Sequence, residues 1–298
     1  MRRRSIAVAA LALAVSSLAY ADRAAPPRYV VKAADVTVYA PKGGKLEARV
    51  LVDAETVNAT QASLTLLTLR METQIPLHRQ TSAKIIYVLD GYARVTGLGG
   101  GKGIDVAPGD AVYVPAGVAS GLLSKCCKLA PSKFLVLYAP GGPEHPYRDP
   151  ASARTGGWTT PVAPAEKQKP PADAPQPRIA KGKDVPDLDI AGGKGKVKIL
   201  FDAESAGDAQ AYVGLLTASA GMAVPEHVHA TEAEILWIVS GKGEMTVEGV
   251  AQPVEAGMAV HIPAGSKHSF KTESGLTAVQ FYTPSGPEQR FRKAASPK

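Results

Sequence analysis

The sequence predicts an all-β protein built from two copies of one barrel. Three observations carry that expectation. The chain repeats itself, its apolar runs are short and rich in β-branched and aromatic residues, and Gly-, Pro- and Asp-rich turns separate those runs roughly every 8–12 residues.

The repeat is read block by block. Leu51-Val-Asp-Ala-Glu55 returns as Leu200-Phe-Asp-Ala-Glu204, and Leu66-Leu-Thr68 as Leu215-Leu-Thr217, both 149 residues later. Val88-Leu-Asp-Gly91 answers Ile238-Val-Ser-Gly241. Gly109 and Pro115-Ala-Gly117 answer Gly257 and Pro263-Ala-Gly265, and the segment Tyr138 to Glu144 answers Tyr282 to Glu288. Five blocks in one order define a duplication over about 28–148 and 178–292. The offset falls from 148 to 144 after the Pro-Ala-Gly block, so the first copy has four extra residues there, read as a longer hairpin loop at 126–132. Residues 84–89, 111–114, 134–138, 234–239 and 278–282 are the clearest strand runs, and no stretch of residues 22–298 has strong helical periodicity.

Around the repeats, residues 1–21 have the pattern of a signal peptide. Arg2, Arg3 and Arg4 precede an apolar run at 6–14, and Ala19-Tyr20-Ala21 offers a small-x-small cleavage site. The apolar run is too short for a comfortable bilayer span, so a periplasmic or secreted protein with no membrane span in the mature chain is expected. Cleavage would remove three arginines and no acid, lowering the formal charge from +7 to +4. The remaining lysines are scattered and aromatic residues make up 6% of the chain, which argues against a nucleic-acid partner. Residues 149–177 contain seven prolines and read as a stiff extended linker, with Trp158 as a tether onto a barrel. The expected organisation is thus a leader at 1–21, a first barrel at 22–148, a linker at 149–177 and a second barrel at 178–298. The adjacent Cys126 and Cys127 read as two thiols, because a bond between neighbours departs from preferred disulfide geometry.

The second copy carries a concentrated set of ligating side chains. His227 and His229 are two apart and share a strand face. Glu234 returns on the paired strand, and His268 opens a later strand just past the Pro-Ala-Gly turn. Three imidazoles and a carboxylate can converge there on one divalent transition metal (Mn, Fe, Ni, Cu or Zn), and residue identity does not choose among these. Glu232 is an alternative to Glu234, and His261 reads as a lining or surface residue. Both blocks, Gly221 to Gly241 and Gly257 to His268, resemble the two signature motifs of the cupin superfamily, and the whole chain resembles a bicupin. The resemblance implies two tandem jelly-roll (double-stranded β-helix) barrels and puts His227, His229, Glu234 and His268 on the family's metal ligands. Thr272 stands where the second motif often ends in Asn, a position that does not bind the metal.

The first copy lacks the set. Aligning Gly91 with Gly241 and Gly109 with Gly257 puts Leu77, Arg79, Lys84 and Ser120 at the ligand positions, and two cations there repel a divalent ion. A structural barrel is expected, or a metal-free pocket where Arg79 and Lys84 hold an anion. Around the metal, alternation predicts Leu236, Ile238 and Phe270 as lining, with Met222, Ile262, Met258, Gln280 and Tyr282 as additions. No Arg lies between Ile179 and Gln289, so a bidentate carboxylate clamp is expected to be missing from the second barrel. These features point to an exported, metal-dependent oxidoreductase of dioxygenase type acting on a small apolar or aromatic molecule, with Glu234 as ligand or base. A non-catalytic binding protein and a metal-dependent lyase or isomerase are the alternatives. The expected assembly is a monomer or homodimer.

Overall fold

The computed structural model describes residues 28–40, 42–97, 103–125, 130–148 and 176–295. The leader at 1–21, Cys126 and Cys127, Trp158 and most of the linker lie outside the described residues. Strand β1 (Val30–Lys32) is followed by β2 (Leu46–Val52), β3 (Ser63–Leu69), β4 (Gln74–His78), β5 (Ala83–Asp90), β6 (Ala93–Thr96), β7 (Ile104–Val106), β8 (Ala111–Val114), β9 (Ser120–Ser124) and β10 (Ser132–Ala139). The second copy contributes β11 (Arg178–Ala180), β12 (Leu188–Ile190), β13 (Gly195–Phe201), β14 (Tyr212–Ala218), β15 (Ala223–His227), β16 (Ala233–Val247), β17 (Val250–Glu255), β18 (Met258–Ile262), β19 (His268–Lys271) and β20 (Leu276–Thr283). Four short helices, α1 (Ala54–Val57), α2 (His145–Arg148), α3 (Ala203–Ala206) and α4 (Gln289–Ala295), fill repeat-related places. No helix among the described residues is long and apolar enough to cross a membrane.

Each barrel is two facing antiparallel sheets. In the first they run β11-β8-β5-β10-β3-β2 and β4-β9-β6-β7. In the second, β1-β18-β16-β20-β14-β13-β12 forms one wall, and β15, β19, the far half of β16 and β17 form the other. The strand that opens each repeat crosses to the other barrel. Val31 of β1 pairs with Ala259, and Ile179 of β11 pairs with Val112. The two barrels therefore interlock at the level of main-chain hydrogen bonds.

Period-two alternation sorts the side chains into separate cores. On β5, Ile86 and Val88 point into the first barrel while Ile85 and Tyr87 point out of it. On β16, Leu236 and Ile238 point into the second barrel while Ile235 and Trp237 point out. The outward sets meet as one dry inter-barrel core that also includes Val31, Tyr113, Phe201, Val279 and Phe281. Tyr113 packs on Phe201 at 5.9 Å between ring centroids, and its hydroxyl donates to Asp208 at 2.6 Å. A fully buried large apolar side chain is worth about 1.5–3 kcal/mol, so this shared core joins the barrels firmly.

The helix that closes each repeat is held by a buried carboxylate. Asp53 caps α1 in a capping box and accepts from Arg148 of α2 at 2.7 Å. Asp202 caps α3 in the same way and accepts from Arg292 of α4 at 2.6 Å.

Candidate metal centre

The four ligand candidates come from three strands and one loop. His227 ends β15, His229 follows in the loop, Glu234 starts β16 and His268 starts β19. His227 and His268 are cross-strand partners, and the amide of Gly265 donates to the His229 carbonyl at 2.7 Å. That bond ties the Pro263-Ala264-Gly265 turn to the histidine loop. Gly265 has φ +78°, a left-handed conformation that favours glycine, which gives the motif glycine its physical reason.

The side chains converge. One ligand atom from each of His227, His229, Glu234 and His268 lies within 4.8 Å of the others. The ring centroids of His227 and His268 are 4.1 Å apart, and His229 lies 5.0 and 5.1 Å from them. His227 Nδ1 lies 2.9 Å from the Pro225 carbonyl, and His268 Nδ1 lies 3.0 Å from the Ser266 carbonyl. A carbonyl only accepts, so both Nδ1 atoms carry a proton and both Nε2 atoms are turned inward. The Nε2 atoms of all three histidines are buried without a well-aligned hydrogen-bond partner. Glu234 Oε2 sits 3.4 Å from His229 Nε2 and 3.2 Å from His268 Nε2. Three orphaned imidazole nitrogens, two of them oriented through Nδ1, around a carboxylate fit a divalent transition metal. Nitrogen and oxygen donors on a rigid wall are what such ions bind.

Electrostatics agree with a ligand role. Burial alone would raise the Glu234 carboxyl, but His229, His268 and the Gln280 amide hold it well below the usual carboxylate range. Burial lowers His227. Burial also opposes the charge on His268, yet Glu234 and the Ser266 carbonyl outweigh it and raise that group. Gln280 Nε2 donates to Glu234 Oε1 at 2.7 Å and to the Tyr282 hydroxyl at 2.8 Å. The Tyr282 ring meets His229 edge-on at 5.3 Å.

Of the expected lining, Gln280 and Tyr282 touch the site directly. Ile262 is the cross-strand partner of Glu234 on the same inward face. Leu236, Ile238 and Met258 join Ile262 in the apolar core of the barrel, Phe270 packs against it, and Met222 belongs to the core patch beneath Tyr282. Glu232 is occupied outside, accepting from Thr231 at 2.9 Å, which leaves Glu234 as the carboxylate of the site. His261 is buried on the outward face of β18, opposite Ile235, and is neither surface nor lining.

Two expectations need correction. The first is the missing guanidinium. Arg290, just past the arginine-free interval, reaches back from α4 and donates to the Tyr282 hydroxyl at 3.2 Å. A positively charged group therefore does stand beside the centre, supplied by a helix that strand alternation cannot place. The second is the alignment of the first barrel. His78 pairs with Ser120 as His227 pairs with His268, and His78 Nδ1 lies 2.7 Å from the Pro76 carbonyl. The amide of Gly117 donates to the Gln80 carbonyl at 2.7 Å, as Gly265 does to His229. The ligand-equivalent positions are thus His78, Gln80, Lys84 and Ser120, and not Leu77 and Arg79. The turn before β16 is one residue longer than the turn before β5, and alignment from Gly91 alone slides past it. Arg79 is exposed and binds the Gly117 carbonyl at 2.6 Å.

With this geometry, the chain is a member of the cupin superfamily, a two-barrel cupin whose candidate metal ligands among the described residues lie in the second barrel. The cupin domain family Cupin_2 matches residues 65–123 and 214–283. Among curated relatives, the chain is 33% identical over 94 residues to the quercetin 2,3-dioxygenase of Bacillus subtilis, an alignment covering 32% of this chain and 28% of that protein. It is 27% identical over 103 residues to Protein SchB of Streptomyces halstedii, covering 35% of this chain and 73% of that protein. The fold is similar to oxalate decarboxylase from Bacillus subtilis, with a TM-score of 0.66 at 19% identity over 89% of this chain and 78% of that one. It is equally similar to the oxalate decarboxylase of Lactobacillus farciminis, with a TM-score of 0.67 at 17% identity over 87% of each chain. The Bacillus subtilis decarboxylase has Mn(II) centres. Identities this low speak to the fold.

Proposed function

We propose that the second barrel is a metal-dependent oxidoreductase of dioxygenase type, acting on a small apolar or aromatic molecule with an acidic hydroxyl. The observation that carries this reading is the trio of buried, unpartnered Nε2 atoms around Glu234, two of them oriented by Nδ1 bonds to the chain. The local identity to a protein named as a quercetin 2,3-dioxygenase supports it, since quercetin is an aromatic molecule with acidic hydroxyls. His227, His229, Glu234 and His268 would hold the ion, which supplies Lewis acidity and redox or oxygen chemistry when bound.

The protein's own groups do the rest. Gln280 occupies Glu234 Oε1 and leaves Oε2 as the atom available to the ion or to a substrate hydroxyl proton. Leu236, Ile238 and Ile262 keep the wall around the carboxylate apolar, which strengthens every electrostatic contact made there. Tyr282, bridged by Gln280 and Arg290, places a polar hydroxyl beside His229. The leader-like residues 1–21 support an exported protein.

The test is oxygen uptake by the purified full chain, loaded separately with Mn, Fe, Ni, Cu or Zn, across flavonols and simple phenolics. Turnover with at least one metal, abolished by His268→Ala, is expected. Stoichiometric metal retention with no turnover would favour a binding protein. A second reading, a lyase acting on a small carboxylic acid, is favoured by Arg290, a bidentate carboxylate partner next to the centre. Release of CO2 from small acids without net oxygen consumption, lost in Arg290→Leu, would select it.

A further inference from the structure

The first barrel keeps a cavity at the position where the second gathers its ligands. It has a volume of about 20 Å³ and is lined by His78, Lys84, Tyr138 and Tyr147 among apolar side chains. That exceeds the roughly 10–15 Å³ that a single water needs, so the cavity takes a body of about one to two waters. Lys84 stands where Glu234 stands in the second barrel, for each pairs with the matching tyrosine, Tyr138 or Tyr282. Its Nζ donates to Ser120 Oγ at 2.6 Å, which uses one of three N–H groups. No carboxylate lies within ion-pair distance of Lys84 among the described residues. A buried ammonium with a single neutral partner is expensive. A cation is excluded here, and a counter-anion is what the site lacks.

We propose that the first barrel binds one small monovalent anion, of chloride or formate size, against Lys84 Nζ in this cavity. The inference is independent of the chemistry proposed for the second barrel. Three titratable groups line the site besides Lys84, and a fourth, Glu144, lies behind the two tyrosines. His78 on β4 is pushed down to about 4, first by burial and then by Lys84, so it stays neutral near neutral pH. Tyr138 on β10 and Tyr147 on α2 are both raised by burial and stay protonated. Glu144, just before α2, accepts from Ser63 Oγ at 2.6 Å and from the Gly142 amide at 2.7 Å. Lys84 itself is pushed down to about 7 by burial. Anion binding below pH 7 thus meets an ammonium already formed, and above pH 7 it must take up a proton. Affinity is expected to weaken about tenfold per pH unit above 7.

The experiment uses the full chain and its His268→Ala variant, which removes anion capture by metal in the second barrel. Formate or chloride is titrated at fixed ionic strength against gluconate, a large anion, and thermal unfolding is followed at pH 6 and pH 9. Both proteins should show a saturable rise in Tm that is larger at pH 6, and Lys84→Met or Lys84→Gln in either background should abolish it. Equal rises with and without Lys84, or no rise at pH 6, would overturn the proposal. If the Lys84 variants do not fold, ³⁵Cl NMR on the His268→Ala protein replaces them. Excess chloride line width that one equivalent of formate removes at pH 6 supports the site, and no such displacement overturns it.

Discussion

His227 and His268 donate through Nδ1 to carbonyls two residues before them, Pro225 and Ser266. The local chain thereby sets the tautomer that a metal needs, before any ion arrives. Gln280 does the same for Glu234 by holding Oε1. Gln280→Leu keeps the volume and removes that donor, so metal affinity should fall roughly 10–100-fold while far-UV circular dichroism stays unchanged. Competition with a calibrated chelator reads the effect, and an unaltered affinity would count against this orienting role. The convergence of His227, His229, Glu234 and His268 was legible in the sequence because each sits at a fixed distance from a turn glycine or proline. Arg290 was not, because it arrives from a helix after the last strand, where a two-residue period carries no information.

At the scale of elements, the motif glycines mark backbone that other residues resist. Gly241 has φ +80°, and a Cβ there would press on the carbonyl of Gly275. Gly241→Ala should cost at least roughly 1–2 kcal/mol from the left-handed backbone alone, measured by urea unfolding. The one-residue difference in the turn before β5 and β16 explains why alignment from Gly91 puts Leu77, not His78, at the first ligand position. Sequence blocks fix an offset only where they match, and an insertion between them shifts the register of the strand beside it. The closing helices give a pH-dependent prediction. Asp202 is fully buried, and although burial opposes its charge, Ser205, Arg292 and Gln289 lower it to about 2. Its folded value lies below its unfolded one, so its stabilisation is complete above about pH 4 and is lost as pH falls towards 2. The stability difference between the wild type and Asp202→Asn should shrink across that window. A constant difference would mean that the charge is not what holds α4.

For the whole molecule, the repeat predicted two barrels, and alternation predicted which residues face inward. It did not predict where the outward apolar residues go, since β-branched strands read alike on both faces. The structure joins Ile85, Tyr87, Ile235, Trp237, Val279 and Phe281 in one inter-barrel core and passes β1 and β11 across it. Residues 178–298 expressed alone would expose that face and lack β1, leaving β18 as an open edge, so they should self-associate, as measured by light scattering. The intact protein should unfold in one cooperative transition. A soluble monomeric second half would show that the barrels are independent. The central claim is that one metal ion is held by the second barrel alone, and elemental analysis of the purified full chain beside its His268→Ala and His78→Ala variants tests it most directly. The account expects one transition-metal ion per chain in the wild type and in His78→Ala, with most of it lost in His268→Ala. Two ions per chain, or a full complement retained without His268, would contradict it.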